Sequence, residues 1–214
     1  MIFNFFKSKN NWQHKDSNIL IAAINDEDER IVELLLESGA NPNLSSPGDG
    51  NPMTAASNTD NDRILALLID HGGNVNKSTR GDGSALISAA SRGNLNKVMR
   101  LVEAGADPNM GVRGDGSPLI AASSAGNYEV VKYLIEQGAN IDKEVRGDET
   151  PLISAAWGGH LDVVKLLIEN GADPNKSTRE GSFFNYEIRS PLKMARKKGH
   201  RRVADYLTKN GARR

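Results

Sequence analysis

The chain of 214 residues contains no cysteine, which excludes disulfides, thiolate metal ligands and a thiol nucleophile together. Its four histidines leave little for a histidine-based metal site, and aromatic residues make up only 5%. Charge of one sign is also missing. With 27 basic and 27 acidic residues there is no whole-molecule field to draw the chain onto nucleic acid or an anionic membrane, so any electrostatic function rests on local clusters. No apolar run approaches the roughly 18 residues of a membrane span. Met1 to Asn10 carries Ile2, Phe3, Phe5 and Phe6, but no longer apolar core or small-residue cleavage site follows. No signal peptide is therefore read, and a cytoplasmic location is expected. What is present, 38% apolar and 25% charged residues, is ordinary globular composition.

The sequence repeats itself. Gly39, Gly72, Gly105, Gly138 and Gly171 are spaced by 33 residues, and Gly211 follows after 40. The same block surrounds most of them, as in Gly39-Ala40-Asn41-Pro42-Asn43, Gly105-Ala106-Asp107-Pro108-Asn109 and Gly171-Ala172-Asp173-Pro174-Asn175. A second block follows each, as in Ser117-Pro118-Leu119-Ile120-Ala121-Ala122 and Thr150-Pro151-Leu152-Ile153-Ser154-Ala155-Ala156. A fixed period of this length points to stacked supersecondary units.

One unit can be read locally. Thr150 suits a helix N-cap, because its hydroxyl accepts from a free backbone donor, and Pro151 suits the first helical position, where a missing N–H costs nothing. Ala155 and Ala156 allow close helix approach, and Gly158-Gly159 makes a turn. A second helix is predicted from about Leu161 to Asn170, with Asp162 favourable against its N-terminal dipole. Val163, Val164, Leu166, Leu167 and Ile168 cover most of its circumference, which implies burial on two sides. Gly171 supplies the left-handed residue that ends it.

These blocks resemble the ankyrin repeat, with its Thr-Pro-Leu-His-x-Ala-Ala, Gly-His, Val-Val-x-Leu-Leu and Gly-Ala-Asp-x-Asn segments, from about Asn18 to Ala212. The resemblance implies an all-α solenoid of stacked helix-turn-helix units with finger loops and β-turns, in six repeats including caps. The boundaries that follow are a leader over 1–16, then repeats at 17–47, 48–80, 81–113, 114–146, 147–179 and 180–214. The last carries seven extra residues within Glu180 to Ser190. Two departures stand out. The family histidine is replaced by Ile21, Thr54, Ile87, Ile120, Ile153 and Lys193, so apolar packing is expected in place of a polar link. The glycine between the helices is Glu27 in the first repeat and Asp60 in the second.

The resemblance implies a non-catalytic module, without cofactor or metal, that binds another protein through its concave face as a monomer. The Arg-Gly-Asp-x-Ser/Thr-Pro-Leu-Ile variant looks like bacterial ankyrin proteins, for which an inhibitor, immunity or effector role is one concrete version. His160 and His200 fill the family's Gly-His position, and no nucleophile, base and orienter triplet, phosphate loop or metal spacing accompanies them.

Three features are candidates for the binding surface. Arg-Gly-Asp occurs at one repeat phase, at residues 80–82, 113–115 and 146–148, where turn chemistry explains the glycine and helix polarity the aspartate. Stacking at the roughly 10 Å spacing of packed helices would align Arg80, Arg113, Arg146 and Arg179 as a column. Aromatic residues sit where the repeats do not need them: Phe3, Phe5, Phe6 and Trp12 in the leader, Phe183, Phe184 and Tyr186 in the insertion, and Trp157 at the end of a first helix. Equivalents of Trp157 are Asn25, Asn58, Ser91, Ser124 and Lys197, which predicts an exposed tryptophan beside Ser91, Arg92 and Ser124. Buried tryptophan and tyrosine anchors are typically worth about 2 kcal/mol or more in an interface. The alternatives are packing of Trp157 on the neighbouring finger, an inserted finger with Phe183, Phe184 and Tyr186 that folds back over the last repeat as a lid, and a leader that caps the first helices.

Charge is the third. Residues 176–214 carry twelve Lys or Arg against three Asp or Glu, a net of +9, and the preceding residues carry −9. Lys193, Arg196, Lys197, Lys198, Arg201 and Arg202 crowd the last helix pair. A capping repeat must be polar outside, which accounts for much of this. The sharper reading is an anionic-ligand, nucleic-acid or membrane-surface module built from this basic cap and the Phe-rich leader. With only Tyr206 interleaved, nucleic acid is not favoured, and a membrane surface would be held weakly.

Overall fold

The computed structural model describes residues 13–45, 50–79, 81, 83–145, 149–182 and 185–213. The expectations placed on the leader aromatics, Arg80, Arg146, Phe183 and Phe184 lie outside those residues. The chain forms two compact units, residues 1–85 and 86–214.

The first unit holds two helix pairs, α1 (Gln13–Asn25) with α2 (Glu29–Glu37) and α3 (Pro52–Ser57) with α4 (Asp62–Asp70), followed by β1 (Ser78–Thr79) and β2 (Gly83–Ser84). Strands β1 and β2 pair antiparallel, Ser78 opposite Ser84 and Thr79 opposite Gly83. Helix α1 packs on α3, and α2 on α4. Leu20, Ile24, Val32, Met53, Ile64, Leu65 and Leu68 are fully buried between them. Each buried side chain of this kind contributes about 1.5–3 kcal/mol of transfer free energy, an upper estimate. The helices start where a side chain satisfies a free backbone donor: Asp28 accepts from the Ile31 amide and Asn51 from the Thr54 amide, both at 3.0 Å. Glu27 has φ of 56°, the sole non-glycine at positive φ among the described residues. Its carboxylate accepts from the Asp60 amide at 3.1 Å, so the two departures from glycine are linked to each other across 33 residues.

The second unit holds α5 (Ala85–Arg92) with α6 (Leu95–Glu103), α7 (Pro118–Ala125) with α8 (Tyr128–Glu136), and α9 (Pro151–Gly158) with α10 (Leu161–Glu169). A five-residue hairpin follows, β3 (Thr178–Ser182) and β4 (Asn185–Arg189), and then α11 (Pro191–Lys197) and α12 (Arg201–Lys209). First helices stack on first helices, α7 on α9 and α9 on α11. Second helices do the same from α6 through α8 and α10 to α12. Leu119, Leu152 and Leu192 line the buried side of one row, and Leu101, Leu134, Leu167 and Leu207 that of the other.

The local logic of the repeat holds. Ser117, Thr150 and Ser190 cap their helices by accepting from the Ile120, Ile153 and Lys193 amides, each at 3.3 Å, and a proline follows each cap. Gly171 ends the α10 segment at φ of 93°. Ile87, Ile120 and Ile153, at the family's histidine position, are buried. One expectation is too strong: Val163, Val164 and Leu167 are buried in α10, whereas Leu166 and Ile168 are only half-buried. The neighbouring second helices cover two flanks of α10 and leave part of its outer side to solvent.

Two ladders of polar contacts lock the repeats in register. At the helix turns, Asn127 Nδ2 donates to the Ala90 and Ser91 carbonyls at 2.8 and 2.9 Å. His160 Nε2 meets the Ser124 carbonyl and His200 Nε2 the Trp157 carbonyl, both at 3.0 Å. A carbonyl only accepts, so each Nε2 carries the hydrogen. At the fingers, Asn109 Nδ2 donates to the Gly138 carbonyl at 3.0 Å while its Oδ1 accepts from the Asn140 amide at 2.7 Å. Asn175 repeats this with the Gly211 carbonyl and the Arg213 amide, and in the first unit Asn43 does so with Gly72 and Asn74.

Candidate functional site

In the second unit the last residues of the first helices recur at one phase: Ser91, Ser124, Trp157 and Lys197. The carbonyls of the first three are occupied by the following repeat, which fixes the backbone of the row. Ser91, Arg92, Ser124 and Lys197 are exposed, as the sequence predicts.

Trp157 differs from the expectation of an exposed tryptophan. It is half-buried, and three cations surround its ring: Lys198 Nζ at 3.9 Å from the centroid, Arg189 at 5.5 Å and Lys197 Nζ at 5.9 Å. A cation over an indole face is attracted by the ring quadrupole, by about 0.5–1 kcal/mol at an exposed site. Part of the cover comes from the end of α11, through Lys197 and Lys198, and part from the insertion, through Arg189. Strand β4 delivers Arg189 to the start of α9, where its guanidinium pairs with Glu149; both side chains are largely buried, 21% and 15% exposed. Glu149 and Arg189 each directly precede an N-cap, the phase at which Gly50, Gly83 and Gly116 stand in earlier repeats. That break in a glycine column is the signal by which the sequence could have revealed the pair.

The hairpin carries the remaining aromatic feature. Arg179 faces Ile188 in its register and Gly181 faces Tyr186. The Arg179 guanidinium lies 5.2 Å from the Tyr186 ring centroid, while Tyr186 is 50% and Ile188 48% exposed. Arg113 is exposed in a turn closed by the Val112–Gly116 bridge. The described members of the expected arginine column are thus in different surroundings, one solvated and one on a tyrosine.

Glu187 organises part of the basic cap. Its carboxylate meets Lys197 Nζ at 3.0 Å and Lys193 Nζ at 3.3 Å, with Arg189 Nε at 3.7 Å. Hydrogen bonds from Lys197 and then Lys193 hold its carboxyl below the ordinary value. Arg196, Lys198, Arg201 and Arg202 are exposed, and Arg201 approaches Asp205 only to 4.0 Å. Sequence reading singled out the cap cations and the aromatics but missed Glu149, Glu187, Ile188 and Arg189, which hold them in place.

Among the described residues no group of three or more His, Asp or Glu is placed to hold a metal ion, and no helix is long and apolar enough to cross a membrane. The family model described as ankyrin repeats in three copies matches residues 19–112 and 110–178. The model described as ankyrin repeats in many copies matches 158–208. Comparison with curated proteins returned no match. The crystal structure of the human ASB11 ankyrin repeat domain is similar to this chain, with 26% identity and a TM-score of 0.76 over 91% of this chain and 84% of that one. With its helix pairs, finger turns and asparagine and histidine links repeating in step with these matches, the chain belongs to the ankyrin repeat family.

Proposed function

We propose that the protein binds a protein partner through the first-helix ends and fingers of its second unit, without catalysis, as a cytoplasmic monomer. An inhibitor or immunity-type role is the specific version this reading favours. Ankyrin repeat domains generally mediate protein–protein interaction and are typically non-catalytic, which supports the class. The observation that carries the surface is Tyr186, an aromatic ring half exposed on a hairpin that the repeat architecture does not require. The Arg179 guanidinium lies over that ring, and the reading adds the half-buried Trp157 and the exposed Ser91, Arg92, Arg113 and Ser124 of the same unit, with Arg146, Phe183 and Phe184 by their place in the sequence. The ladders fix this surface before a partner arrives, so little ordering entropy is lost on binding.

Affinity capture from an extract of the source cell, followed by mass spectrometry, tests the reading. The wild type is compared with a Trp157→Ala/Phe184→Ala protein of matched thermal stability. A protein retained by the wild type alone supports the surface, and equal retention by both proteins refutes it.

A further inference from the structure

At positions where interior repeats are packed, the last repeat is basic. Ile120 and Ile153 are buried two residues after their prolines, and Ala90, Ser123 and Ala156 are buried three residues further on. The matching residues of α11 are Lys193 and Arg196, both exposed. They line a groove of about 730 Å³ together with Asn175, Ser177, Ile188, Ser190, Leu192 and Arg213.

A cap that only had to be soluble would be satisfied by charges of both signs and would cover its apolar residues. This groove has neither property. Among the described residues that line it, Lys193, Arg196 and Arg213 are cationic and none is acidic, while Ile188 is 48% exposed. Lys193 is partly committed: its Nζ donates to the Ile188 carbonyl at 2.8 Å and meets Glu187. The guanidinium groups of Arg196 and Arg213 have no partner among the described residues; these residues are engaged through their backbones, the Arg213 amide with Asn175 Oδ1 and the Arg196 carbonyl with the Gly199 amide.

We infer that this groove docks an acidic peptide segment of the partner protein, with an aliphatic side chain against Ile188 and carboxylates on Arg196 and Arg213. Planar guanidinium groups match carboxylates bidentately, and exposed aliphatic surface gains from cover by another apolar group. The inference rests on the protein-binding reading above and adds the chemistry of the ligand.

The test titrates the isotopically labelled full chain with acetyl-Glu-Glu-Leu-Glu-Glu amide at low salt. Backbone and arginine side-chain resonances are followed. Saturable shifts at Ile188, Arg196 and Arg213 are expected, with affinity at least tenfold weaker for the Gln-Gln-Leu-Gln-Gln peptide and for an Arg196→Ala/Arg213→Ala protein. Both arginines are exposed, so the variant keeps its fold; a charge-reversed Arg196→Glu protein gives an independent check. Shifts centred instead on Lys198, Arg201 and Arg202 would overturn the site, and equal affinity for inorganic phosphate would overturn the peptide. If the groove fails while capture still depends on Trp157 and Phe184, the loss is confined to this inference.

Discussion

Glu149 and Arg189 form an ion pair between the residue before the N-cap of α9 and the residue before the N-cap of α11, at the phase where Gly50, Gly83 and Gly116 stand in earlier repeats. Two glycines replaced by opposite charges in adjacent repeats tie the inserted hairpin back onto the stack. The same tie lays Arg189 over Trp157. The cover on the half-buried tryptophan thus comes in part from a pair lying outside the helix that carries it, beside Lys197 and Lys198 of the next repeat.

Removing one partner should expose this dependence. Arg189→Ala leaves a largely buried carboxylate unpaired, at a cost of about 1–3 kcal/mol. Glu149→Ala alone should cost less, since the Arg189 guanidinium retains Glu187. In a Trp12→Phe background, both variants should shift Trp157 fluorescence to the red and raise its quenching by acrylamide. A double-mutant cycle should give a coupling of at least about 0.5 kcal/mol.

The helix-turn ladder predicts a difference between two glycines. Gly159 has φ of 80°, and a Cβ there would lie 2.5 Å from the His200 ring; Gly171 has φ of 93° and open space around that position. Gly171→Ala should therefore cost only the left-handed backbone penalty, about 1–2 kcal/mol. Gly159→Ala should cost more, because it also displaces His200 from the Trp157 carbonyl. Thermal melts of the two proteins measure the gap.

Acid should loosen the hairpin from the last helix pair. The Glu187 carboxyl is lowered in the folded protein by Lys197 and Lys193, so the folded state binds fewer protons than the unfolded chain. The contribution is fully present above the ordinary value of 4.5 and is lost as pH falls through the lower folded value. Resonances of Lys193 and Lys197 should stay constant from neutral pH down to the ordinary carboxyl range, then move together below it. In Glu187→Gln that transition should vanish.

At the fingers, Asn109→Ala removes a donor to Gly138 and an acceptor for Asn140 at once. A loss of about 1 kcal/mol is expected, with faster hydrogen exchange confined to the Asn140 amide and its neighbours. Unchanged exchange would show that the rung contributes nothing.

The fold was legible because the repeat phase repeats its own physics: a capping hydroxyl, a proline, two small residues and a closing glycine recur at fixed intervals. Contacts between phases were less visible. Trp157 reads as exposed because Asn25, Asn58, Ser91, Ser124 and Lys197 are polar, yet among the described residues a hairpin of five-residue strands is found only after Trp157. Glu27 and Asp60 each read as an irregular terminal repeat, whereas the structure shows one accepting from the other. Polarity at the last helix pair could be read residue by residue. The groove could not, since it depends on Ile188 of the insertion meeting α11 and the residues after α12.

The most direct measurement of the central claim is hydrogen exchange on the chain with and without a captured partner. The account predicts protection gathered at the ends of α5, α7 and α9 and along residues 178–189. Protection gathered instead on the outer helices α6, α8 and α10 would contradict it.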